Sequence, residues 1–258
     1  MVPTKVNGSK PLWFLLDTGY GVTTIHPDLI EPLGLKRAGQ LTIVGIAGEE
    51  KAVTYEGAVF DFGGTNYSPR RVASLPSDAE NFHHRRDGVL GAGFFRRFVV
   101  EVDFAKNILR LHEPQSFDYS GKGEILPLQF EQDVPIVEAT ITTPRKKLVR
   151  GRFDVDTGCD DHLCLSREFV ETNQLALKAD APPSGKKVGV GGGARIHLGT
   201  VSQLQLGRFT LKKVSANFFA DGSPAGKGID GHIGMATLQH YKVIFDYSRR
   251  RMILEEQP

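Results

Sequence analysis

Leu12-Trp13-Phe14-Leu15-Leu16-Asp17-Thr18-Gly19 is an apolar stretch that closes on an acidic triplet, and the triplet returns at Asp156-Thr157-Gly158 behind Phe153-Asp154-Val155. The chain holds 16 Asp, 15 Thr and 29 Gly in 258 residues. Chance would then supply roughly 0.1 Asp-Thr-Gly in a shuffled chain of this composition. Two copies, one per half and in matching contexts, point to a duplication.

Working outward, each triplet heads a longer repeat. Asp87-Gly88-Val89-Leu90-Gly91 recurs 143 residues later as Asp230-Gly231-His232-Ile233-Gly234, and the same offset carries residues 100–104 onto 243–247 and 108–111 onto 251–254. Val44-Gly45-Ile46-Ala47-Gly48 matches Val188-Gly189-Val190-Gly191-Gly192 at an offset of 144; Asp17 matches Asp156 at 139, and Val2-Pro3 matches Val134-Pro135 at 132. The landmarks keep one order, and the drift in offset is what loop insertions produce.

Between landmarks the pattern is that of strands. Val53-Thr54-Tyr55-Glu56 and Val100-Glu101-Val102-Asp103 alternate apolar with polar, the period-two signature of half-buried strands. Gly63-Gly64 and Gly207 punctuate such runs as turns. Helices are expected to be few and short: one from about Pro27, one capped by Ser166, and a turn over residues 94–98 after Gly93. The expected fold is all-β, with two barrel-like lobes related by a pseudo-twofold axis. The lobes fall at 1–113 and 124–258, joined by the polar, turn-rich linker 114–123.

Composition narrows the function. Hydrophobic content of 40% and charged content of 24% are ordinary for a globular protein, and a net charge of +2 leaves no basic footprint for nucleic acid. Apolar runs stop at about five residues, far short of a membrane span. Arg145-Lys146-Lys147 and Arg249-Arg250-Arg251 read as solvated turns or strand ends, and His83-His84 beside Arg85 and Arg86 as an exposed loop. The eight histidines show no zinc-ligand spacing and no His-Glu-x-x-His, so neither metal nor cofactor is expected. Cys159 and Cys164, five apart, would lie on opposite faces of a strand and so could not pair; a local loop disulfide is the alternative.

The N-terminus carries no apolar leader. Thirty-two residues separate the linker from Asp156, whereas 16 precede Asp17. The expectation is an N-terminally trimmed product whose longer form carried an export signal, which would place it in the periplasm or outside the cell.

Two carboxylates brought together can share one proton and activate a water molecule, because like-charge repulsion keeps one of them protonated. Glycine beside each aspartate allows close backbone approach, and threonine can hydrogen-bond across an axis. Leu16-Asp17-Thr18-Gly19 and Val155-Asp156-Thr157-Gly158, each trailed by an apolar-Gly element (Val89-Leu90-Gly91, His232-Ile233-Gly234), resemble the aspartic peptidases. The Gly-rich stretches resemble retropepsin flaps, which makes the chain similar to a fused, single-chain relative of that dimer.

The resemblance implies an endopeptidase that takes a polypeptide substrate and works as a monomer, since both half-sites lie in one chain. Asp17 and Asp156 would be the dyad, Thr18 and Thr157 a cross-lobe grip, and Gly19 and Gly158 the loop shapers. Gly45, Ile46, Ala47, Gly48, Gly189, Val190, Gly191 and Gly192 would form the flaps. Tyr20 and Cys159 stand where the family places a small residue, and His232 replaces an apolar one. Asp160 and Asp161 add negative charge beside Asp156. The alternative is a catalytically silent relative that binds polypeptide. A phosphotransferase reading of Asp154-x-Asp156 fails because the chain lacks β-α alternation, and nothing in the Thr-Gly context favours a glycosidase.

Overall fold

A computed structural model of the chain describes residues 1–46, 48–76, 86–175, 183–221 and 228–257. They divide into two compact units, one of Met1–Arg97 with Val188–Gly193 and one of Phe98–Lys187 with Ala194–Pro258. Both are built almost wholly of strands, as the alternating pattern predicts.

The first unit contains β1 (Val2–Val6), β2 (Leu12–Leu16), β3 (Thr24–Ile25), β4 (Lys36–Gly45), β5 (Gly48–Glu56), β6 (Phe60–Asp61), β7 (Asn66–Tyr67), β8 (Val72–Ser74) and β9 (Gly88–Leu90), followed by helix α1 (Ala92–Arg97). Its sheet runs β4-β5-β8-β3-β9-β2-β1-β6-β7. The core is aromatic: Phe14 packs edge-on to Phe60 at 5.2 Å, and Tyr67 edge-on to Phe94 at 5.6 Å. Each such pair adds about 0.5–1.5 kcal/mol beyond the area it buries.

The second unit contains β10 (Val99–Asp103), β11 (Ile108–His112), β12 (Glu124–Pro127), β13 (Gln129–Glu131), β14 (Val134–Thr142), β15 (Leu148–Asp156) and β16 (Leu163–Leu165). Helix α2 (Arg167–Thr172) follows, then β17 (Gly185–Gly189) and β18 (Gly192–Leu206), whose shared tip Val188–Gly193 belongs to the first unit, and then β19 (Phe209–Phe219), β20 (Gly231–Gly234), helix α3 (Met235–Leu238), β21 (Tyr241–Asp246) and β22 (Arg251–Glu256). One sheet runs β13-β14-β15-β20-β16-β19-β18-β17, the other β11-β10-β21-β22-β12.

The wiring of the first sheet recurs in the larger sheet of the second unit. β2 pairs parallel with β9, which pairs antiparallel with β3, which pairs parallel with β8. Likewise β15 pairs parallel with β20, antiparallel to β16, which pairs parallel with β19. The Asp that opens each trailing element holds this arrangement. The Asp87 carboxylate accepts the Trp13 N–H at 2.7 Å, and the Asp230 carboxylate accepts the Arg152 N–H at 2.7 Å. Around them the Asp87 and Asp230 N–H groups donate to the Trp13 and Arg152 carbonyls, all at 2.8 Å. The repeated Asp-Gly is thus a strand-end staple.

The five-stranded sheet joins repeat-equivalent strands directly. In β10–β21, Val100 faces Phe245, Glu101 faces Ile244 and Val102 faces Val243. Because residue 100 corresponds to 243 and 102 to 245, the pairing maps onto itself about a local twofold through Glu101 and Ile244. Residues 114–123 form no strand, yet they are packed down: Phe117 and Tyr119 cover Val99, Ile244 and Ile253, and the Tyr119 hydroxyl donates to Glu255 at 2.7 Å.

Some local expectations shift. Pro27–Leu29 makes only a 3₁₀ turn, while Ser166 caps α2 by accepting the Phe169 N–H at 3.2 Å. The four-residue α3 carried no cap signal of its own and was not anticipated. In β10 the acidic residues are buried along with the valines: Glu101 is 8% exposed because Arg110 at 2.7 Å, His112 at 3.1 Å and Lys242 at 3.7 Å satisfy it. Ion pairing outranks the binary pattern there. His83, His84 and Arg85 lie outside the described residues.

Replacing Asp87 or Asp230 with Ala removes a charged acceptor from a strand N–H. Each variant is expected to lose about 1.5–3 kcal/mol in urea unfolding, with Asn intermediate.

Candidate active site

The two Asp-Thr-Gly loops are built alike, each within its own unit. Asp17 follows β2 and donates its N–H to the Leu90 carbonyl of β9 at 3.0 Å. Its Oδ1 accepts the Gly19 N–H at 2.9 Å. Asp156 closes β15 opposite Gly234 of β20, and its Oδ1 accepts the Gly158 N–H at 2.8 Å. Thr18 and Thr157 are buried. A carboxylate that bonds the amide two residues ahead forms a tight local turn, and this fixes its direction.

The trailing glycines are sterically required. A Cβ at Gly91 would stand 2.5 Å from the Tyr20 carbonyl oxygen, and one at Gly234 would stand 2.3 Å from that of Asp161. Only glycine lets the trailing strand pass so close to the aspartate loop.

The Gly-rich segments are hairpin tips. Gly45 ends β4, Ile46 turns and Gly48 opens β5; Ala47 lies outside the described residues. Gly189 ends β17, Val190 and Gly191 turn, and Gly192 opens β18. Both tips belong to the first unit. There Val190 is buried with Ile43, Ala52, Ala73 and Leu75, against which Tyr20, Val22 and Leu41 pack. A Cβ at Gly45 would lie 2.1 Å from the Val190 carbonyl oxygen, and one at Gly191 2.5 Å from the Gly48 nitrogen. The ring of Tyr20, in the place of a small family residue, is therefore absorbed by this cluster.

With this geometry in view, the sequence matches the family described as Aspartyl protease over residues 2–94 and 138–237. The chain belongs to the aspartyl protease family. The crystal structure of a retropepsin-like aspartic protease from Rickettsia conorii is similar at 17% identity, covering 52% of this chain and 100% of that one, with a TM-score of 0.40. No curated protein matches the chain.

Beside the second Asp-Thr-Gly loop, this aspartyl protease family member contains a buried ion pair that no local sequence pattern joins. Asp154 and His232 face each other in the parallel β15–β20 pair. Both side chains are under 10% exposed, and His232 Nδ1 donates to Asp154 Oδ1. The same nitrogen lies 3.8 Å from Asp156 Oδ2. Burial works against the imidazolium, but the charge and hydrogen bond of Asp154, with Asp156 beyond, raise the His232 pKa to about 10. Burial raises the Asp154 pKa, and the His232 cation opposes that rise. The available signal was a charged residue in each of two strands otherwise read as buried.

The expected excess of negative charge beside Asp156 is moderated. Asp160 is exposed, and Asp161 is ion-paired to Lys187. Burial alone would raise the Asp161 pKa, but the Lys187 ammonium lowers it overall. The cysteines also depart from expectation. Residues 157–162 run through a turn and a bend rather than a strand, so Cys159 and Cys164 meet with their sulfurs 3.8 Å apart, both as free thiols. Among the described residues no helix is long and apolar enough to cross a membrane.

Replacing His232 with Leu strands Asp154 in the core and is expected to cost about 3–5 kcal/mol, whereas Asp154→Leu/His232→Leu should restore most of that loss. The His232 pKa is raised on folding, so its contribution is complete below the unfolded value of about 6.5 and fades as pH rises through about 10. Urea unfolding from pH 6 to pH 10 checks both points: the stability of the parent relative to Asp154→Leu/His232→Leu, which carries neither titrating group, should fall across that window.

Proposed function

We propose that the chain is an aspartic endopeptidase in which Asp17 and Asp156 form one catalytic dyad. The observation that carries this reading is the duplicated build of the half-sites. Each aspartate ends a strand with a parallel neighbour, and each is oriented by the amide of its own loop glycine, at 2.9 and 2.8 Å. A cleft that polarises a scissile carbonyl needs two such rigid, equivalent carboxyl groups.

In this mechanism the dyad holds one water and one proton. The charged member takes a proton from the water as its oxygen attacks the peptide carbonyl, while the protonated member donates to the carbonyl oxygen. The tetrahedral intermediate collapses when the leaving nitrogen receives a proton from the dyad, so no bond forms between enzyme and substrate. Thr18 and Thr157 brace the two loops, and the hairpin tips at Gly45–Gly48 and Gly189–Gly192 serve as flaps over an extended polypeptide. Lobes 1–113 and 124–258, joined by 114–123, supply one half-site each, so the monomer is the working unit.

A mixed peptide library incubated from acid to neutral pH tests the assignment. Cleavage is expected, with block by a statine-type transition-state mimic. Asp17→Asn and Asp156→Asn should each lower kcat by at least about 10²–10⁴-fold. Tyr20 and Cys159 favour one rival, a silent polypeptide-binding relative; cleavage that persists unchanged in both variants, or bound peptide that is never cut, would remove the endopeptidase reading.

A further inference from the structure

Cys159, Asp161 and Cys164 form a cluster that the proposed chemistry leaves unused. Their ligating atoms all lie within 4.8 Å of one another. The two sulfurs are 3.8 Å apart, and Asp161 Oδ2 is 3.7 Å from Cys159 Sγ and 3.5 Å from Cys164 Sγ. A tetrahedral zinc ion with Zn–S of about 2.3 Å and Zn–O of about 2.0 Å sets sulfur–sulfur edges of about 3.8 Å and sulfur–oxygen edges of about 3.5 Å. The triangle in this protein therefore already has the dimensions of one face of a zinc coordination tetrahedron.

We infer that Cys159, Asp161 and Cys164 bind one zinc ion, with water as the fourth ligand. Two thiolates select a soft or borderline ion over magnesium or calcium, and the partly exposed Asp161 gives access from solvent. Binding breaks two S–H bonds and forms two Zn–S bonds, and the two protons leave to buffer.

Neighbouring groups suit this role. Asn217 Nδ2 donates to Cys164 Sγ at 3.8 Å, the N–H···S contact that supports a thiolate ligand. The Lys187 ammonium is paired with that same Asp161 Oδ2, so zinc displaces it from the oxygen, and its charge nearby offsets the surplus negative charge of two thiolates and a carboxylate around a divalent ion. The chain has no histidine zinc spacing, and a Cys-x-Asp-x-x-Cys turn matches no such pattern.

The ligand turn is tied to the second Asp-Thr-Gly loop. Cys159 donates its N–H to the Asp156 carbonyl at 3.3 Å, and its own carbonyl accepts the Met235 N–H at 2.7 Å. Zinc would therefore brace that loop from behind, a structural role that does not depend on peptidase activity.

The test uses the full chain, reduced and stripped with a chelator, then titrated with zinc chloride against a chromophoric chelator. One equivalent should bind, and zinc at 100 times its Kd should raise Tm by about 5–10 °C. Cobalt should give a sulfur-to-metal charge-transfer band. Asp161→Asn should weaken zinc binding by about 10–100-fold, and Cys159→Ser by more. Cys159 is the less buried cysteine, and circular dichroism confirms that each variant folds. Zinc affinity unchanged in both variants would overturn the site, as would zinc-saturated protein whose thiols react as fast as the stripped form. A protein that takes up no zinc when reduced and forms a Cys159–Cys164 disulfide in air, read as a 2 Da mass loss, would also overturn it.

Discussion

The parallel pairing of each aspartate-bearing strand with its trailing strand is the constraint on which the rest of the molecule depends. Parallel neighbours cannot be joined by a tight hairpin, so some 70 residues of chain must leave and return before β2 meets β9 or β15 meets β20. What makes the return register-specific is local. Asp87 and Asp230 catch the backbone of the outgoing strand at one end, and Gly91 and Gly234 admit the loop carbonyls at the other. A one-residue slip would turn every side chain over and leave both aspartates aimed elsewhere.

Duplication shows differently at different depths. The strand wiring and staples repeat closely, down to equal hydrogen-bond lengths. The surroundings of the aspartates do not. Tyr20 enters a hydrophobic cluster beside the first loop, whereas Asp154, His232 and the thiol-bearing turn surround the second. Backbone geometry is therefore held in common, and the electrostatic environment has diverged between the copies.

The repeat, its strand content and the two acidic loops were legible because they rest on short-range rules: period-two alternation, glycine where backbones crowd, and a capping Ser166. Features that depend on which strand lies beside which were not. No local rule says that Asp154 will face His232, that Glu101 will be buried among Arg110, His112 and Lys242, or that a bend will swing Cys159 towards Cys164. Each looks like an exception in its own strand and becomes sensible only beside its partner. The hairpin tips fall between these cases, since their glycines were visible while the burial of Val190 with Ile43 and Ala73 was not.

The self-matching β10–β21 pair has a consequence for the gene. At the centre of such a pair each position meets its own counterpart, so two identical copies carrying glutamate there would set like charges side by side in a buried sheet, a destabilising arrangement. A chain that spells the two copies separately escapes this. It can keep Glu101 for its cationic partners and place Ile244 opposite, packed with Val99 and Ile253. Carrying both copies in one chain thus makes available a residue choice that strict symmetry forbids.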